Sequence, residues 1–276
     1  MSSPAASPVL AQLRARIARL EGEGARLRAV LPFGIAPLDG RLPGGGLALG
    51  CLHEVASAGD GAAAACFAAG IAARIPGPVL WVAAVPDLFA PGLEQAGLAP
   101  GRVIHVEAGS DKAVLACMEE GLRHGTLGTV LGEAARLPMA LSRRLHLAAK
   151  GTGTTCIALR RQGRAEAGEQ PGAAMTRWRV ASRPSAPLPV PGVGRARWRV
   201  ELLRARGGEG FAMELEACDE AGRLGLPAAR DGEAAGGDGV CLDERRKGYD
   251  PNHLGLPAGL AGGPAAAAGG RRGAAG

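Results

Sequence analysis

Short apolar runs alternate with amphipathic helical patterns between Leu47 and Leu159. Strands separated by helices of this length are typical of βαβ units, in which consecutive strands run parallel. The runs are apolar almost throughout, which indicates strands that are covered on both faces. We therefore predict an α/β fold with a doubly wound, mainly parallel sheet flanked by helices. The predicted strands are 51–55, 78–85, 102–108, 128–134 and 154–160, and the predicted helices are 62–74, 88–96, 111–124 and 138–150.

Beyond residue 175 the pattern changes, and polar and apolar residues alternate with a period of two at 176–182, 196–205 and 210–218. The last two segments are joined by RGGEG, which has the composition of a turn, and they predict a C-terminal antiparallel hairpin. Neighbouring side chains of a strand point to opposite faces. Trp198 should therefore lie on one face of the hairpin and Arg197 and Arg199 on the other.

Residues 1–30 are predicted to form an amphipathic helix followed by a linker. Ser7 is a candidate N-cap, and the glycines at positions 22 and 24 weaken the helix and end it. The helix either folds back on its own domain or docks on a partner or a neighbouring protomer. Its apolar stripe consists of Leu10, Leu13, Ile17 and Leu20.

Residues 31–226 contain the predicted strands and the hairpin, and they form the predicted core domain. Residues 227–276 are rich in glycine and alanine. Such a segment cannot bury enough apolar surface to offset its ordering entropy, so we predict a disordered tail.

Composition sets broad limits on function. The chain of 276 residues has a formal net charge of +6, and nearly all of its positive charge is arginine. This permits nucleic-acid binding without indicating it. The six cysteines are scattered, with no histidine at ligand spacing, so neither a disulfide nor a metal site is expected. The sequence shows no signal peptide and no apolar run that could cross a bilayer, which predicts a cytoplasmic protein without a membrane partner.

A degenerate phosphate loop follows the first predicted strand. In the sequence SAGDGAAA, two glycines can form a turn ahead of a helix N-terminus. A working loop also needs a lysine for the phosphates and a hydroxyl for Mg²⁺. Alanines stand in their place, and the aspartate would repel a triphosphate. The residues of this degenerate loop are Ser57, Gly59, Asp60, Gly61, Ala62 and Ala63.

A nucleotide site would also need a carboxylate at the end of a later strand. In GTVLGEA, Gly132 follows the apolar run directly and Glu133 comes one residue later. A shift of one residue turns a side chain to the opposite face of the sheet, unless a bulge at Gly132 restores it. The five histidines are dispersed, and none lies in a nucleophile motif. We therefore expect that the protein is not an enzyme and that it holds no metal and no cofactor. Binding of ATP without hydrolysis is left open.

The segment LPFGIAPLDGRLPGGGLALGCLHEV resembles the entry into the RecA fold. With LRARIARLEG ahead of it and RWRVASRPSA and GRARWRVELLRARGG behind it, the chain resembles the ImuA family of bacterial mutagenesis proteins over residues 10–226. The resemblance to RecA places the ATP-binding lysine at Ala62 or Ala63, and the carboxylate that activates water near Val85. It places the Mg²⁺-side carboxylate at Gly132. All three roles are vacant in this sequence.

The resemblance to the ImuA family implies a non-catalytic RecA-like accessory or scaffold protein in SOS-induced, mutagenic translesion DNA synthesis. It implies as partners an ImuB-type relative of Y-family polymerases and an error-prone replicative-type DNA polymerase. RecA is a further candidate partner, contact with DNA would be indirect or weak, and association with the nucleoid stays open. The alternatives are a RecA-type DNA-dependent ATPase, which the glycine turn favours, and a cell-division inhibitor that resembles SulA.

Two predicted strands carry the triplet RWR, at 177–179 and 197–199. Arginine next to tryptophan suits a nucleic-acid binder, since one neutralises phosphate and the other can stack on bases. Strand alternation instead favours tryptophans in the core and arginines on a solvated or partner-facing surface, where they can still contact DNA or an acidic partner. The candidate contact residues are Arg177, Arg179, Arg197 and Arg199, together with the N-terminal stripe.

Overall fold

The computed structural model describes residues 29–59, 61–85, 87–161, 172–186, 188 and 190–227. The N-terminal stripe of Leu10, Leu13, Ile17 and Leu20 lies outside these residues, as does nearly all of the tail at 227–276. The expectations for both ends, and the division of the chain into 1–30, 31–226 and 227–276, therefore stay predictions.

The strands agree with the predicted runs to within a few residues at each end. In chain order they are β1 (Val30–Leu31), β2 (Leu47–Ala48), β3 (Leu52–Ser57), β4 (Val79–Ala83), β5 (Val103–Glu107), β6 (Thr129–Glu133), β7 (Thr155–Arg160), β8 (Thr176–Arg183), β9 (Arg197–Ala205) and β10 (Phe211–Glu216). The strands β1 and β2 form a separate antiparallel ribbon, which is too short to show a hydrophobic period and was not predicted.

The remaining strands form one eight-stranded sheet with the order β10-β9-β8-β3-β7-β6-β4-β5. Neighbouring strands from β8 to β5 run parallel. The strands β9 and β10 are antiparallel to their neighbours and extend the sheet at one side. This confirms the predicted RecA-like α/β fold with its C-terminal antiparallel hairpin.

The helices are α1 (Ala36–Asp39), α2 (Gly61–Ala73), α3 (Ala90–Gln95), α4 (Asp111–His124) and α5 (Met139–Thr152). The sheet divides the apolar core into two clusters, with α2 and α3 on one side and α4 and α5 on the other. The ends of α4 follow directly from the sequence. The Oγ of Ser110 accepts a hydrogen bond from the backbone N–H of Ala113 at 3.3 Å, and Gly125 ends the helix with a left-handed φ of 76°.

The alanine-rich α2 is apolar on all sides because it is covered on nearly all sides. The sheet lies against one side of the helix, and α3 and the segment around Cys218 lie against the other. A Cβ on Gly70 would overlap the Sγ of Cys218, so only small residues permit this close approach. Among the described helices, none combines the length and the apolar character needed to cross a membrane.

Candidate functional site at the carboxyl edge of the sheet

The turn between β3 and α2 occupies the place of a phosphate loop. The strand ends at Ser57, Gly59 has a φ of 127°, and the helix begins at Gly61. Asp60 lies outside the described residues. The backbone of Gly59 has a conformation that side chains other than hydrogen rarely permit. This glycine is therefore needed to form the turn, whether or not a phosphate binds there.

The start of α2 packs against Arg161, the residue that follows β7. A Cβ at Gly61 would lie 3.0 Å from both the Cβ and the carbonyl oxygen of Arg161, so a larger residue would require Arg161 to shift by a few tenths of an ångström. Ala62 is exposed and Ala63 is buried. A lysine at position 63 would have to bury its ammonium group in the core, which is costly without a partner. Local packing thus favours small residues at Gly61 and Ala63.

Ser57 carries the one hydroxyl of the degenerate loop. The hydroxyl is buried and has no hydrogen-bond partner among the residues that the structure describes. It belongs to the last residue of β3, ahead of the turn. The hydroxyl that holds Mg²⁺ in a working loop instead follows the lysine at the start of the helix.

Glu133 ends β6 and faces the same side of the sheet as α2. Its Oε1 accepts a hydrogen bond from the Nε1 of Trp81 at 2.8 Å, and its Oε2 lies 3.3 Å from the Nε of Arg161. Gly132 faces the other side, where a Cβ would overlap the side chain of Met118 in α4. The expectation that Glu133 points away from the nucleotide side is therefore wrong. No bulge at Gly132 brings this about, because β6 and β7 stay in register through both residues.

Burial raises the pKa of the Glu133 carboxyl above its ordinary value, while the hydrogen bond from Trp81 and the charge of Arg161 oppose this shift. Its Oε1 accepts the hydrogen bond from Trp81, whereas Oε2 lies within ion-pair distance of Arg161 without a hydrogen bond from the Nε of that residue among the described residues. Within the described part of the chain, no group of three or more His, Cys, Asp or Glu side chains is placed to hold a metal ion.

A cleft of about 250 Å³ opens where β4, β6 and β7 end. Ligands of open α/β sheets commonly bind at this edge. Here Arg161 pairs with both Asp87 and Glu133, and Asp111 accepts a hydrogen bond from the backbone N–H of Ala135 at 2.9 Å. Val85, 68% exposed, also lines the cleft, at the position where the resemblance to RecA expects a carboxylate. At this edge Asp87 and Glu133 pair with Arg161, and Val85 has no group that could accept a proton.

The sequence prediction did not include Asp87, Arg161 or Trp81 at this edge. Asp87 and Arg161 come just after parallel strands, and residues in that position meet at one edge of the sheet. This placement could have identified both of them. Trp81 lies within β4 and gives no comparable signal.

Trp178 and Trp198 lie in the core, as the strand alternation predicts. Trp178 packs against the rings of Phe33, Phe67 and Phe211 at centroid distances of 5.7, 5.7 and 6.3 Å. Its Nε1 donates a hydrogen bond to the Oγ1 of Thr176 at 2.7 Å. Rings enclosed in this way are not available to stack on nucleic-acid bases.

The four arginines of the two RWR triplets share the opposite face, but two of them are not solvated. Arg177 forms a two-point ion pair with the buried Glu54, with Nε–Oε2 at 2.9 Å and Nη2–Oε1 at 3.2 Å. Arg177 is shielded from solvent because β8 joins the parallel sheet next to β3, which places Arg177 beside Glu54. Arg197 is only 7% exposed and is flanked across the neighbouring strands by Arg183 and Glu216. The predicted solvated surface is therefore wrong for Arg177 and Arg197, whereas Arg179 and Arg199 remain accessible.

His53 connects β3 to this aromatic core. Its Nδ1 lies 2.7 Å from the Oγ1 of Thr176, and its Nε2 lies 2.8 Å from the carbonyl oxygen of Ala48. Burial lowers the pKa of His53 to about 4. The residue is a neutral core histidine, which is the usual finding for a histidine within a strand.

Comparison with known proteins gives relatives of this chain in one organism. The chain is 41% identical over 208 residues to the protein named "Protein ImuA" in two strains of Caulobacter vibrioides. The matched region covers 70% of this chain and 85% of each relative. No protein-family model matches the chain.

Proposed function

The chain belongs to the ImuA family, and we propose that it acts as a non-catalytic, RecA-like accessory protein in SOS-induced, mutagenic translesion DNA synthesis. Membership of the family supports a role in the ImuA–ImuB mutagenesis system. The absence of catalysis, the individual partners and the scaffolding role are proposals that go beyond membership of the family.

The observation that carries the non-catalytic part is the ion-pair network at the carboxyl edge. Arg161 engages Asp87 and Glu133, and it also packs over the first residue of α2. Val85 occupies one of the positions where the resemblance to RecA expects a carboxylate, and Glu133, which faces the side of α2, lies against Trp81 and Arg161. A nucleotide at this edge would have to displace interactions that the chain makes with itself, and it would find no lysine in the turn.

The proposed partners are an ImuB-type protein and an error-prone replicative-type polymerase, with which the chain would act in the cytoplasm. Contact with DNA would be indirect or weak. Burial of Trp178 and Trp198 supports this, because stacking on bases is a major part of binding to single strands.

The glycine turn was the feature that favoured a RecA-type ATPase. The φ of Gly59 and the contact of Gly61 with Arg161 account for both glycines through backbone geometry and packing. The turn therefore gives no specific support to an ATPase, and the described residues show no feature that favours a cell-division inhibitor.

The proposal is tested by mixing the purified full chain with a purified ImuB-type protein and an error-prone polymerase, followed by size-exclusion chromatography with and without Mg²⁺–ATP. We expect the chain to co-elute with the ImuB-type protein to the same extent in both conditions, since the nucleotide has no site to act on. A complex that forms only with ATP would contradict the closed edge, and release of phosphate by that complex would contradict the non-catalytic part. If no complex forms in either condition, the accessory role itself is wrong.

A further inference from the structure

In the part of the chain that the structure describes, one face of β8, β9 and β10 carries mostly half-buried or exposed side chains. Their other face carries Trp178, Trp198 and Leu215 and belongs to the core. The helices α4 and α5 pack over β3, β4, β6 and β7, and the charged side chains of the last three strands lie beyond them. We call this surface the arginine face. It consists of Arg179, Arg183, Arg197, Arg199, Arg204, Glu201, Glu214 and Glu216.

The register of the strands places these residues side by side. Arg179 lies opposite Glu201, Arg199 opposite Glu214, and Arg197 opposite Glu216. Residues directly opposite each other in antiparallel strands share a face and interact. The arginine face is therefore a fixed array of charges on a rigid sheet, and its long side chains are already partly ordered before a partner binds.

Some of these charges are neutralised within the array. Glu201 accepts hydrogen bonds from Arg179 and from the Nε of Arg199, the latter at 2.8 Å, and the Nε of Arg183 lies 3.7 Å from Glu214. Glu216 lies 3.4 Å from Arg195, which belongs to the preceding loop.

A positive surplus remains after this pairing. Among the described residues, Arg197 and Arg204 have no carboxylate partner. Within the described ranges, the buried Nε of Arg197 has no hydrogen-bond partner, and Arg204 donates a hydrogen bond to the carbonyl oxygen of Gly172 at 3.3 Å. Arg197 is buried and cannot contact a partner, but the other four arginines of the face are half-buried or exposed and outnumber its three glutamates, so the excess charge favours an anionic partner.

The pattern of signs selects the class of partner. A nucleic-acid backbone presents phosphates of one sign, and glutamates between the arginines would repel it. The tryptophans that could stack on bases lie on the other side of the sheet. A polypeptide segment can place carboxylates against the accessible arginines and basic groups against the glutamates. The guanidinium group also matches a carboxylate through two parallel hydrogen bonds.

From this geometry we infer that the arginine face binds an acidic segment of a partner protein and not nucleic acid. The inference rests on the proposed function, in which the partner is an ImuB-type protein. It assigns a surface and a chemistry to that contact.

The test uses the full chain with the double charge reversal Arg183→Glu and Arg199→Glu. Its matched control is Arg143→Glu with Lys150→Glu, which makes the same change of charge at two exposed residues of α5. Binding is measured with a purified ImuB-type protein and, separately, with a labelled single-stranded oligonucleotide. We expect the reversal to weaken binding of the protein by about tenfold or more, because like charges then face each other across the contact. The control should bind as the unmodified chain does, and the small affinity for DNA should be unchanged by the face variant beyond the effect of net charge.

Circular dichroism shows whether the reversal folds, since it removes the pair between Arg199 and Glu201. The neutral variant Arg183→Gln with Arg199→Gln keeps hydrogen-bonding capacity and tests the inference if the reversal does not fold; it should weaken protein binding in the same direction but less.

The possible outcomes separate the inference from the proposed function. Full-strength binding of the protein by the folded face variants overturns the inference and leaves the proposed function standing. Loss of oligonucleotide binding with protein binding intact overturns it in favour of nucleic acid. If the unmodified chain binds no ImuB-type protein, the proposed function fails, and the inference fails with it.

Discussion

Arg161 engages the carboxylates at the carboxyl edge of the sheet. Its guanidinium pairs with Asp87 and Glu133, and its Cβ and carbonyl oxygen lie against Gly61. The two carboxylates are therefore neutralised by the chain itself and need no metal ion for that purpose. The nearby Gly132 has a separate structural role, since its missing side chain leaves room for Met118.

Gly132→Asp tests this role of the glycine directly. The variant places a carboxylate where the resemblance to RecA expects one, but the new side chain would point toward Met118 in the core. Overpacking and a buried unpaired carboxyl should together destabilise the fold by about 3 kcal/mol or more. Urea unfolding measures this loss. Gly132→Ala should lose less stability than Gly132→Asp. The double variant of Gly132→Ala with Met118→Ala should regain part of the stability that Gly132→Ala loses. A Gly132→Asp protein as stable as the unmodified chain would contradict the assignment of faces.

His53 makes stability depend on pH. Its pKa is about 4 in the folded chain, against an ordinary value of 6.5, so between these values the unfolded chain binds a proton that the folded chain does not. The contribution is fully present above pH 6.5 and is lost as the pH falls toward 4, and it amounts to about 3 kcal/mol. Urea unfolding of the unmodified chain and of His53→Gln across this range measures the difference in slope. Equal slopes would show that His53 is not held neutral.

At the scale of the elements, β8 places two arginines in different environments, one beside a buried glutamate and one near the surface. Arg177 and Arg179 are two residues apart on the same face. Arg177 lies beside β3 and pairs with the buried Glu54, whereas Arg179 lies further along and shares Glu201 with Arg199 near the surface. The environment of each arginine is set by what the neighbouring strand carries at that register.

Alanine substitution of these two arginines should therefore have unequal effects. Arg177→Ala leaves the Glu54 carboxylate buried without its main partner and should destabilise the fold by about 3–5 kcal/mol. Arg179→Ala removes a partly exposed pair and should cost about 1 kcal/mol or less. Urea unfolding compares the two, and replacing both Glu54 and Arg177 with leucine should restore part of the loss. Similar losses for both arginines would contradict the burial of the Glu54–Arg177 pair.

How far the sequence predicts the elements depends on their length. The hydrophobic period of 111–124 and its Ser110 cap are enough to place α4, and the period of two places both tryptophans in the core. The pairing of β8 with β3 is not visible in the sequence, because it joins residues that are far apart along the chain. The burial of Arg177 follows from that pairing, so the alternation of β8 alone cannot reveal it. The side of the sheet that Glu133 faces also differs from the prediction, because the last residues of a strand do not by themselves show which side chains point to which face.

At the scale of the whole molecule, the sheet separates two regions that differ in character. Its carboxyl edge is closed by ion pairs within the chain, around Arg161. Its antiparallel extension presents an array of charges with a positive surplus on one face. This distribution of charge is the basis of the proposal that the chain holds a partner in place and does not turn over a nucleotide.

The most direct test of a scaffold without nucleotide chemistry is a measurement of ATP binding and turnover by the purified full chain. Calorimetric titration with Mg²⁺–ATP and an assay of phosphate release are run with and without single-stranded DNA. We predict no saturable binding and no release above background, because the turn has no lysine and Arg161 engages the carboxylates. Saturable binding would contradict a closed edge, and phosphate release stimulated by DNA would contradict the non-catalytic function as a whole.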